Sequence, residues 1–195
     1  MAENLYLQHI NQQTYNDWEA ARTGFFSLIV DDLDGIIKAT YAGDNPESAP
    51  PSDKIGKAQE ILKLNVLTAD VPHFSLETLQ YKRGNEVVKF AGVPTFNSGS
   101  VKVDDVVGLD TKAILMAWQG KAYNVHTGKG GRMGDYKKHC TLIEYDQAYT
   151  QVRSWDLYGC WIKELSEDAF DRENDGKRAI TATIEFDRAI MREAD

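Results

Sequence analysis

The chain has 195 residues, of which 42% are hydrophobic and 27% are charged, and its formal net charge at pH 7 is −8. This composition is typical of a soluble globular protein with room for one sizeable core, and it excludes a disordered chain. The acidic balance argues against a protein that wraps nucleic acid, because neutralising phosphates requires an excess of Lys and Arg.

Targeting and redox signals are sparse. No stretch of the sequence approaches the roughly 20 apolar residues of a membrane span. The first residues, M-A-E-N-L-Y-L-Q-H-I, lack the basic region and apolar core of a secretory signal. Cys140 and Cys160 are too few for a disulfide framework. We therefore expect synthesis in a reducing cytoplasm.

The chain begins with a polar segment that contains scattered aromatic residues. Residues 1–22 are predicted to be an N-terminal arm, and residues 23–195 a single β domain. Within this domain, Phe25 to Val30 predicts a strand that ends at a polar turn. Residues 42–57 are rich in Gly, Pro, Ser and Asp, which predicts a long exposed loop.

The middle of the chain reads as antiparallel β structure. The alternation from Phe74 to Tyr81 has the two-residue period of a strand, and Gly84 supplies the positive φ that a tight hairpin needs. Four strands are predicted here: Ile61 to Thr68, Phe74 to Lys82, Val87 to Ala91 and Phe96 to Val103.

The last part of the chain begins with a predicted helix. Asp110 and Thr111 are residue types that cap helices, and Ile114, Ala117 and Trp118 fall on one helical face. Gly120 or the later Gly128 cluster is expected to end the helix. Three strands follow: Tyr136 to Tyr145, Val152 to Lys163 and Ala179 to Ile190. The predicted fold is mainly β, with two antiparallel sheets in a sandwich or partly closed barrel and one flanking α-helix.

Three segments could carry chemistry, and each has a plainer interpretation. The loop from His126 to Gly134 is rich in Gly but lacks the G-x-x-x-x-G-K-[ST] pattern of a phosphate loop, which favours a flexible connector. His139 and Cys140 diverge in a strand because neighbouring residues face opposite sides, which disfavours a zinc site. The carboxylates between Glu167 and Asp175 lack EF-hand spacing, which favours a solvated acidic loop, with weak cation binding as the alternative.

Aromatic side chains mark the penultimate strand. Trp155, Leu157 and Trp161 are expected to share one face and to lie in the core, rather than to form a stacking platform for bases or sugars. No convergent polar constellation is found for a small hydrolase or binding module. We predict a protein without catalytic residues, metal or cofactor.

The order of these motifs resembles the tail tube proteins of contractile-tailed bacteriophages, which share a fold with the tube proteins of type VI secretion systems. The resemblance spans about residues 23–192. Its first block is the pattern E-x-(I/L)-x-Y, then V-K-hydrophobic-x-G, and its second is a strand with an aromatic, a small and another aromatic residue. The matching residues are Glu77, Leu79, Tyr81, Val88, Lys89, Phe90 and Gly92, then Trp155, Tyr158, Gly159, Cys160 and Trp161.

This resemblance implies a structural virion protein of the phage tail. Its subunits would form hexameric rings that stack into a hollow tube inside a contractile sheath, and DNA would pass through without specific binding. The implied partners are further copies of the chain, the sheath protein, and the baseplate and tail terminator proteins, with no membrane. The alternative is a tube subunit of a type VI secretion system or of a phage-tail-like bacteriocin.

Two sets of residues are predicted to serve the assembled tube. The polar face of the last strand would line the lumen with Thr181, Thr183, Glu185 and Asp187, because its other face is apolar and must be buried. Six copies would turn each carboxylate into a ring that repels phosphate. The contacts between rings are expected to involve the N-terminal arm and the loop residues Pro46, Glu47, Pro50, Pro51 and Asp53.

Overall fold

A computed structural model describes residues 23–43, 57–106, 111–170 and 176–193. The predicted N-terminal arm and most of the loop 42–57 lie outside these residues. The helices are α1 (Leu33–Gly43), α2 (Ala58–Asn65), α3 (Thr111–Ala122) and the single turn α4 (Met133–Tyr136). The strands are β1 (Phe26–Val30), β2 (Val66–Ala69), β3 (Phe74–Arg83), β4 (Glu86–Phe96), β5 (Gly99–Asp104), β6 (Tyr123–Asn124), β7 (Lys129–Gly130), β8 (Lys138–Tyr145), β9 (Gln151–Glu167), β10 (Ala179–Glu185) and β11 (Arg188–Glu193).

Two antiparallel sheets share the long strand β9. The first half of β9 pairs with β8 and β11, and β8 pairs with β1. The second half pairs with β10, which is followed by β5 and then β2. One 17-residue strand thus serves both sheets, and among the described residues the hydrogen-bonded strands run as an open series from β1 to β2 rather than as a closed barrel. The predicted class, mainly β with two antiparallel sheets, is confirmed.

The core draws side chains from both sheets and from the helices, and β10 shows how the sequence builds it. Ile180, Ala182 and Ile184 are buried, while the alternate residues Thr181 and Thr183 are only half-buried. This alternation is the predicted one, and it assigns the apolar face of β10 to the core. The chain turns at residues 186–187, so the single predicted strand from Ala179 to Ile190 is two strands, β10 and β11.

Helices contribute more to the core than the sequence predicted. One flanking helix was expected, but α1, α2 and α3 all place apolar side chains in the core cluster. The strand predicted from Ile61 was wrong in its first half, where α2 occupies residues 58–65. Ala58, Ile61 and Leu62 are spaced as one helical face and are all buried, and this packing favours the helix over a strand.

The predicted central helix is confirmed as α3. Its apolar stripe of Ile114, Ala117 and Trp118 is buried, and the indole Nε1 of Trp118 donates to the Tyr136 carbonyl oxygen at 3.0 Å. Gly120 does not end the helix, which continues to Ala122.

A bulge at Gly159 changes which side chains of β9 face the core. Gly159 has a φ of 71°, and the register between β8 and β9 shifts at this point. Leu157 and Cys160 are therefore both buried although they are three residues apart. Trp161 lies on the opposite side from Cys160 and is half-buried against the Tyr136 ring, with ring centroids 6.0 Å apart. The prediction that Trp155, Leu157 and Trp161 share one core face was wrong, because it assumed an unbroken strand.

The outer edge of β1 is closed by a side chain. The Gln59 amide on α2 accepts from the Val30 N–H at 2.9 Å and donates to the Leu28 carbonyl oxygen at 3.2 Å. One side chain thus satisfies a donor and an acceptor that a neighbouring strand would otherwise pair. The edge of β1 is therefore guarded against pairing with another chain.

We expect Gln59→Leu to lower the free energy of unfolding by about 1–3 kcal/mol, because it leaves a buried donor and acceptor without partners. Urea denaturation monitored by circular dichroism measures this loss. Lys63→Leu, an exposed position on the same helix, is the control and should change stability by less than ~0.5 kcal/mol. Equal stabilities of the two variants would show that the Gln59 contacts contribute nothing.

Candidate assembly interface

Strands β3 and β4 form a hairpin that stands apart from both sheets. They pair only with each other, from Phe74 opposite Phe96 to Arg83 opposite Glu86. Every residue of β3 is exposed, and ten residues of strand span about 33 Å. We call this element the projecting hairpin (Phe74–Phe96). The sequence predicted β3 and the turn, where Gly84 has a φ of 65°, but it ended the second strand at Ala91, whereas β4 continues to Phe96 and the next strand begins at Gly99. The separation of the hairpin from the core was not predicted.

The projecting hairpin is amphipathic, and its apolar face is uncovered. Cross-strand pairs place Leu79 opposite Phe90 and Tyr81 opposite Val88. These four side chains are 38–65% exposed, although each is of a type that normally lies in a core. The opposite face is mainly polar, with Gln80 opposite Lys89 and Lys82 opposite Val87.

This apolar face accounts for most of the pattern E-x-(I/L)-x-Y and V-K-hydrophobic-x-G, the first block of the resemblance found in the sequence. Four of its residues, Leu79, Tyr81, Val88 and Phe90, form the exposed apolar surface. Gly92 allows close packing at the bulge of the hairpin, since a Cβ there would lie 2.9 Å from the Glu77 carbonyl oxygen. A contiguous exposed apolar surface on a separate element is typical of a protein–protein contact.

The base of the projecting hairpin is anchored to the domain by aromatic packing. The Phe96 ring lies 5.7 Å from the Phe74 ring and 6.2 Å from the Phe186 ring, and Phe186 belongs to the core. The hairpin therefore leaves the domain from a fixed point, and in the described part of the chain its strands pair only with each other.

A second candidate contact is the outer edge of β11. In the described part of the chain this strand pairs with β9 on one side and with no strand on the other. Its backbone groups can therefore accept another strand. Because Gln59 closes the edge of β1, β11 is the more open edge of that sheet.

The predicted lumen residues lie at one end and along one face of β10. Thr181 is opposite Ser166 and Lys102, and Thr183 is opposite Glu164 and Ser100, so this face is lined by hydroxyl and charged groups.

The two predicted lumen carboxylates are each paired with a lysine. Glu185 accepts from Lys163 Nζ at 2.7 Å, and this hydrogen bond raises the pKa of Lys163. Asp187 accepts from Lys137 Nζ at 2.7 and 2.8 Å. Each pair is locally neutral, so these carboxylates supply less net negative charge than the sequence suggested. The predicted inter-ring residues from Pro46 to Asp53 lie outside the described residues.

The glycine-rich loop after α3 is an ordered small hairpin rather than a flexible connector. Strands β6 and β7 pair within it, and the Asn124 Oδ1 accepts from the backbone N–H groups of His126 and Thr127 at 2.9 and 3.1 Å. The loop borders an open cleft of about 1160 Å³ whose walls include Lys129 and the C-terminal end of α3. A helix C-terminus disfavours anions, which argues against a phosphate site.

We expect alanine at His126, Lys129 or Arg132 to leave the free energy of unfolding within about 0.5 kcal/mol of wild type, because all three side chains are exposed. Asn124→Ala is the matched contrast and should cost about 1 kcal/mol, since two backbone donors lose their acceptor. Thermal denaturation distinguishes the two classes. A tightly bound nucleotide or metal in native mass spectrometry would contradict the view that this loop binds neither.

The acidic segment is partly structural. Asp168 Oδ2 accepts from the Ala179 N–H at 3.0 Å, and Glu167 pairs with Lys112 at 2.6 Å. Asp171, Glu173 and Asp175 lie outside the described residues. Among the residues that the structure describes, no three His, Cys, Asp or Glu side chains are grouped to hold a metal, and no helix is long and apolar enough to span a membrane.

Three solved structures with a similar fold illustrate what the chain resembles. The chain superposes on a protein of the sheath–tube complex of an extracellular contractile injection system, PVC, with a TM-score of 0.63 and 15% identity, covering 94% of this chain and 100% of that one. The cap that terminates the tube of the anti-feeding prophage superposes with a TM-score of 0.61 and 14% identity, covering 90% of this chain and 93% of that one. The PVC sheath/tube terminator superposes with a TM-score of 0.60 and 16% identity, covering 89% of this chain and 97% of that one. At these identities the likeness establishes the fold.

A search of curated proteins gives no significant match. A family profile does match, over residues 61–189, and its description is T4-like virus tail tube protein gp19. The matched segment contains the whole projecting hairpin, α3 and the shared strand β9. It covers well over half of the chain, and the fold agrees with it. The chain therefore belongs to the T4-like virus tail tube protein family.

Proposed function

We propose that this chain is the repeating subunit of a hollow phage tail tube, in which hexameric rings stack inside a contractile sheath. Family membership supports the tube, and the uncovered apolar face of the projecting hairpin is the observation that carries self-assembly. A monomer would leave this face in water, whereas a neighbouring copy can bury it.

The projecting hairpin is proposed to reach across to another copy. Its fixed base and length of about 33 Å let it leave its own domain, and its apolar face supplies the contact area. The open edge of β11 is proposed to pair with a strand of a neighbour in the same ring, which would join the sheets into a continuous wall and remove an edge prone to aggregation.

Self-association of the purified protein tests this proposal. Analytical ultracentrifugation over a range of concentrations should show growth from subunits to large assemblies, with the free subunit concentration levelling off. A protein that stays monomeric at every concentration would contradict it.

The polar face of β10 is proposed to line the lumen, with Thr181, Thr183, Glu185 and Asp187 as its lining residues. Its hydroxyl and charged groups suit a water-filled channel, and Glu164 adds a carboxylate opposite Thr183. Lys163 and Lys137 neutralise the two acidic lining residues locally. Lys102, Lys137 and Lys163 balance Glu164, Glu185 and Asp187 along this lining, so passing DNA would meet no excess of positive charge, which limits binding to phosphates.

The loop from Pro46 to Asp53 and the N-terminal arm are proposed to contact the adjacent ring. Deleting residues 46–53 should leave a folded subunit that no longer forms long tubes. Electron microscopy measures the tube length, and circular dichroism shows whether the deletion variant is folded. Normal tubes from the deletion variant would show that the loop is not an assembly element.

The protein is proposed to have no catalytic activity. It is proposed to be made in the host cytoplasm and to become part of the virion tail. Its proposed partners are the tail sheath protein, the baseplate and the tail terminator. Support comes from the family and from structural neighbours in a sheath–tube complex, a terminating cap and a terminator.

A tube subunit of a phage-tail-like particle or secretion system is the second candidate function. The observation that favours it is the fold shared with a protein of an extracellular contractile injection system. Nuclease-protected DNA in purified native particles would indicate a phage tail joined to a genome, and particles free of DNA would indicate an injection device.

A further inference from the structure

Two free cysteines lie side by side in the core. Cys140 on β8 and Cys160 on β9 are both fully buried. In the β8–β9 register Cys140 is opposite Leu157, and Cys160 is opposite Lys138, so the two cysteines are diagonal neighbours on adjacent strands. Strict alternation from Leu157 would turn Cys160 away, and the bulge at Gly159 brings it back to the core side.

The contacts of the two sulfur atoms agree with this placement. Cys160 Sγ donates to the Leu157 carbonyl oxygen at 3.4 Å, and Leu157 is the cross-strand partner of Cys140. Burial raises the pKa of the Cys140 thiol well above its usual range, and the hydrogen bond and charge of Cys160 raise it further. Such thiols react slowly while the core is closed.

We propose that Cys140 and Cys160 are a latent disulfide site within one subunit, which closes when a low-molecular-weight disulfide reaches it. The Cys140 and Cys160 thiols are hydrogen-bonded to each other, so the two sulfur atoms are in contact. Diagonal neighbours on paired strands hold their Cα atoms about 7–8 Å apart, and a disulfide needs less than about 7 Å, so closure requires the two strands to shift at the bulge. This inference concerns a covalent modification and goes beyond the proposed tube function.

The exchange balances without a further reactant. One cysteine loses its proton, and its thiolate attacks the small disulfide, forming a mixed disulfide and releasing one small thiolate. The thiolate of the second cysteine then displaces the other small thiolate and forms the Cys140–Cys160 bond. The two cysteines are oxidised, the small disulfide is reduced to two thiols, and the two cysteine protons pass to the released thiolates.

The bond would staple β8 to β9 beside the bulge. It would constrain the chain between the two cysteines in the unfolded state, which stabilises the folded subunit. Because both sulfurs are buried, we expect the closure to need local opening of the β8–β9 pair, and therefore to be accelerated by urea below the unfolding transition.

Oxidised glutathione is the probe that tests this inference on the full-length protein in urea below its transition. After unfolding and alkylation, we expect neither cysteine to carry the alkyl group or glutathione, and a peptide map to contain the Cys140–Cys160 cross-link. Dithiothreitol should restore two alkylated cysteines, and the oxidised subunit should unfold at a higher urea concentration.

Cys140→Ala and Cys160→Ala are the matched variants, and each should retain one cysteine that is alkylated or carries glutathione. If either variant fails to fold, the peptide map of the wild type still decides. Glutathione adducts without the internal cross-link, disulfides only between subunits, or two cysteines still alkylated after the full incubation would each overturn the inference.

Discussion

Replacing Leu79 and Phe90 together by serine is expected to prevent tube formation at concentrations where the wild type assembles, while leaving the subunit folded. The two side chains are a cross-strand pair on the apolar face of the projecting hairpin and are 51% and 55% exposed. Burying the exposed surface of both side chains would contribute about 2–3 kcal/mol to the free energy of each contact between copies. Losing this contribution should raise the subunit concentration needed for assembly by about 100-fold. Sedimentation of assembled material measures this concentration.

The opposite face of the same hairpin supplies the control. Gln80 and Lys89 are the neighbouring cross-strand pair, and their double replacement by serine changes the hairpin to a similar extent without touching its apolar face. We expect this variant to assemble near the wild-type concentration. If both double variants assemble normally, or both fail equally, the apolar face is not the contact that joins the copies.

The second large effect is expected from Trp118→Ala. Trp118 is 1% exposed, and it joins α3 to the core while donating a hydrogen bond to the Tyr136 carbonyl oxygen. Truncating a buried Trp costs about 3–5 kcal/mol. For a domain of this size the melting temperature should fall by roughly 10 °C or more. Calorimetry below the assembly concentration measures the loss.

Trp161→Ala is the informative comparison, because the sequence alone placed Trp161 in the core. In the structure Trp161 is half-buried on the other side of β9, so its truncation should cost clearly less than that of Trp118. A larger loss at Trp161 than at Trp118 would contradict the described packing of β9.

The strands were predictable where alternation and turn residues agree. The faces of β10 and the Gly84 turn follow directly from the two-residue period and from the conformational freedom of glycine. Helix α2 was missed because a short apolar run around Ile61 and Leu62 fits either a buried strand or one helical face. Ala58, three residues before Ile61, was the available signal for a helix.

The side of the sheet on which each β9 side chain lies could not be derived from the alternation of residues alone. A bulge shifts all later side chains to the other face, and Gly159 in the middle of a strand was the one local sign of it. With the bulge in place, Cys160 joins Cys140 in the core and Trp161 leaves it.

The exposed face of the projecting hairpin could not be deduced from its own residues. Alternation of apolar and polar side chains is the same whether the apolar face packs on its own domain or on another chain. The resemblance to the tail tube proteins predicted an assembly, and the sequence interpretation assigned its contacts between rings to the N-terminal arm and to the loop 42–57. The structure adds the projecting hairpin as the candidate contact.

A cryo-electron microscopy map of the purified, assembled protein tests the central proposal most directly. We predict a hollow tube of stacked six-membered rings in which Leu79, Tyr81, Val88 and Phe90 of each copy are buried against a neighbour, and in which the Thr181–Thr183 face of β10 meets the lumen. An assembly in which this apolar face remains in solvent, or in which the rings are absent, would contradict the account. A basic lumen, or Glu185 and Asp187 on the outer wall, would contradict the proposed lining.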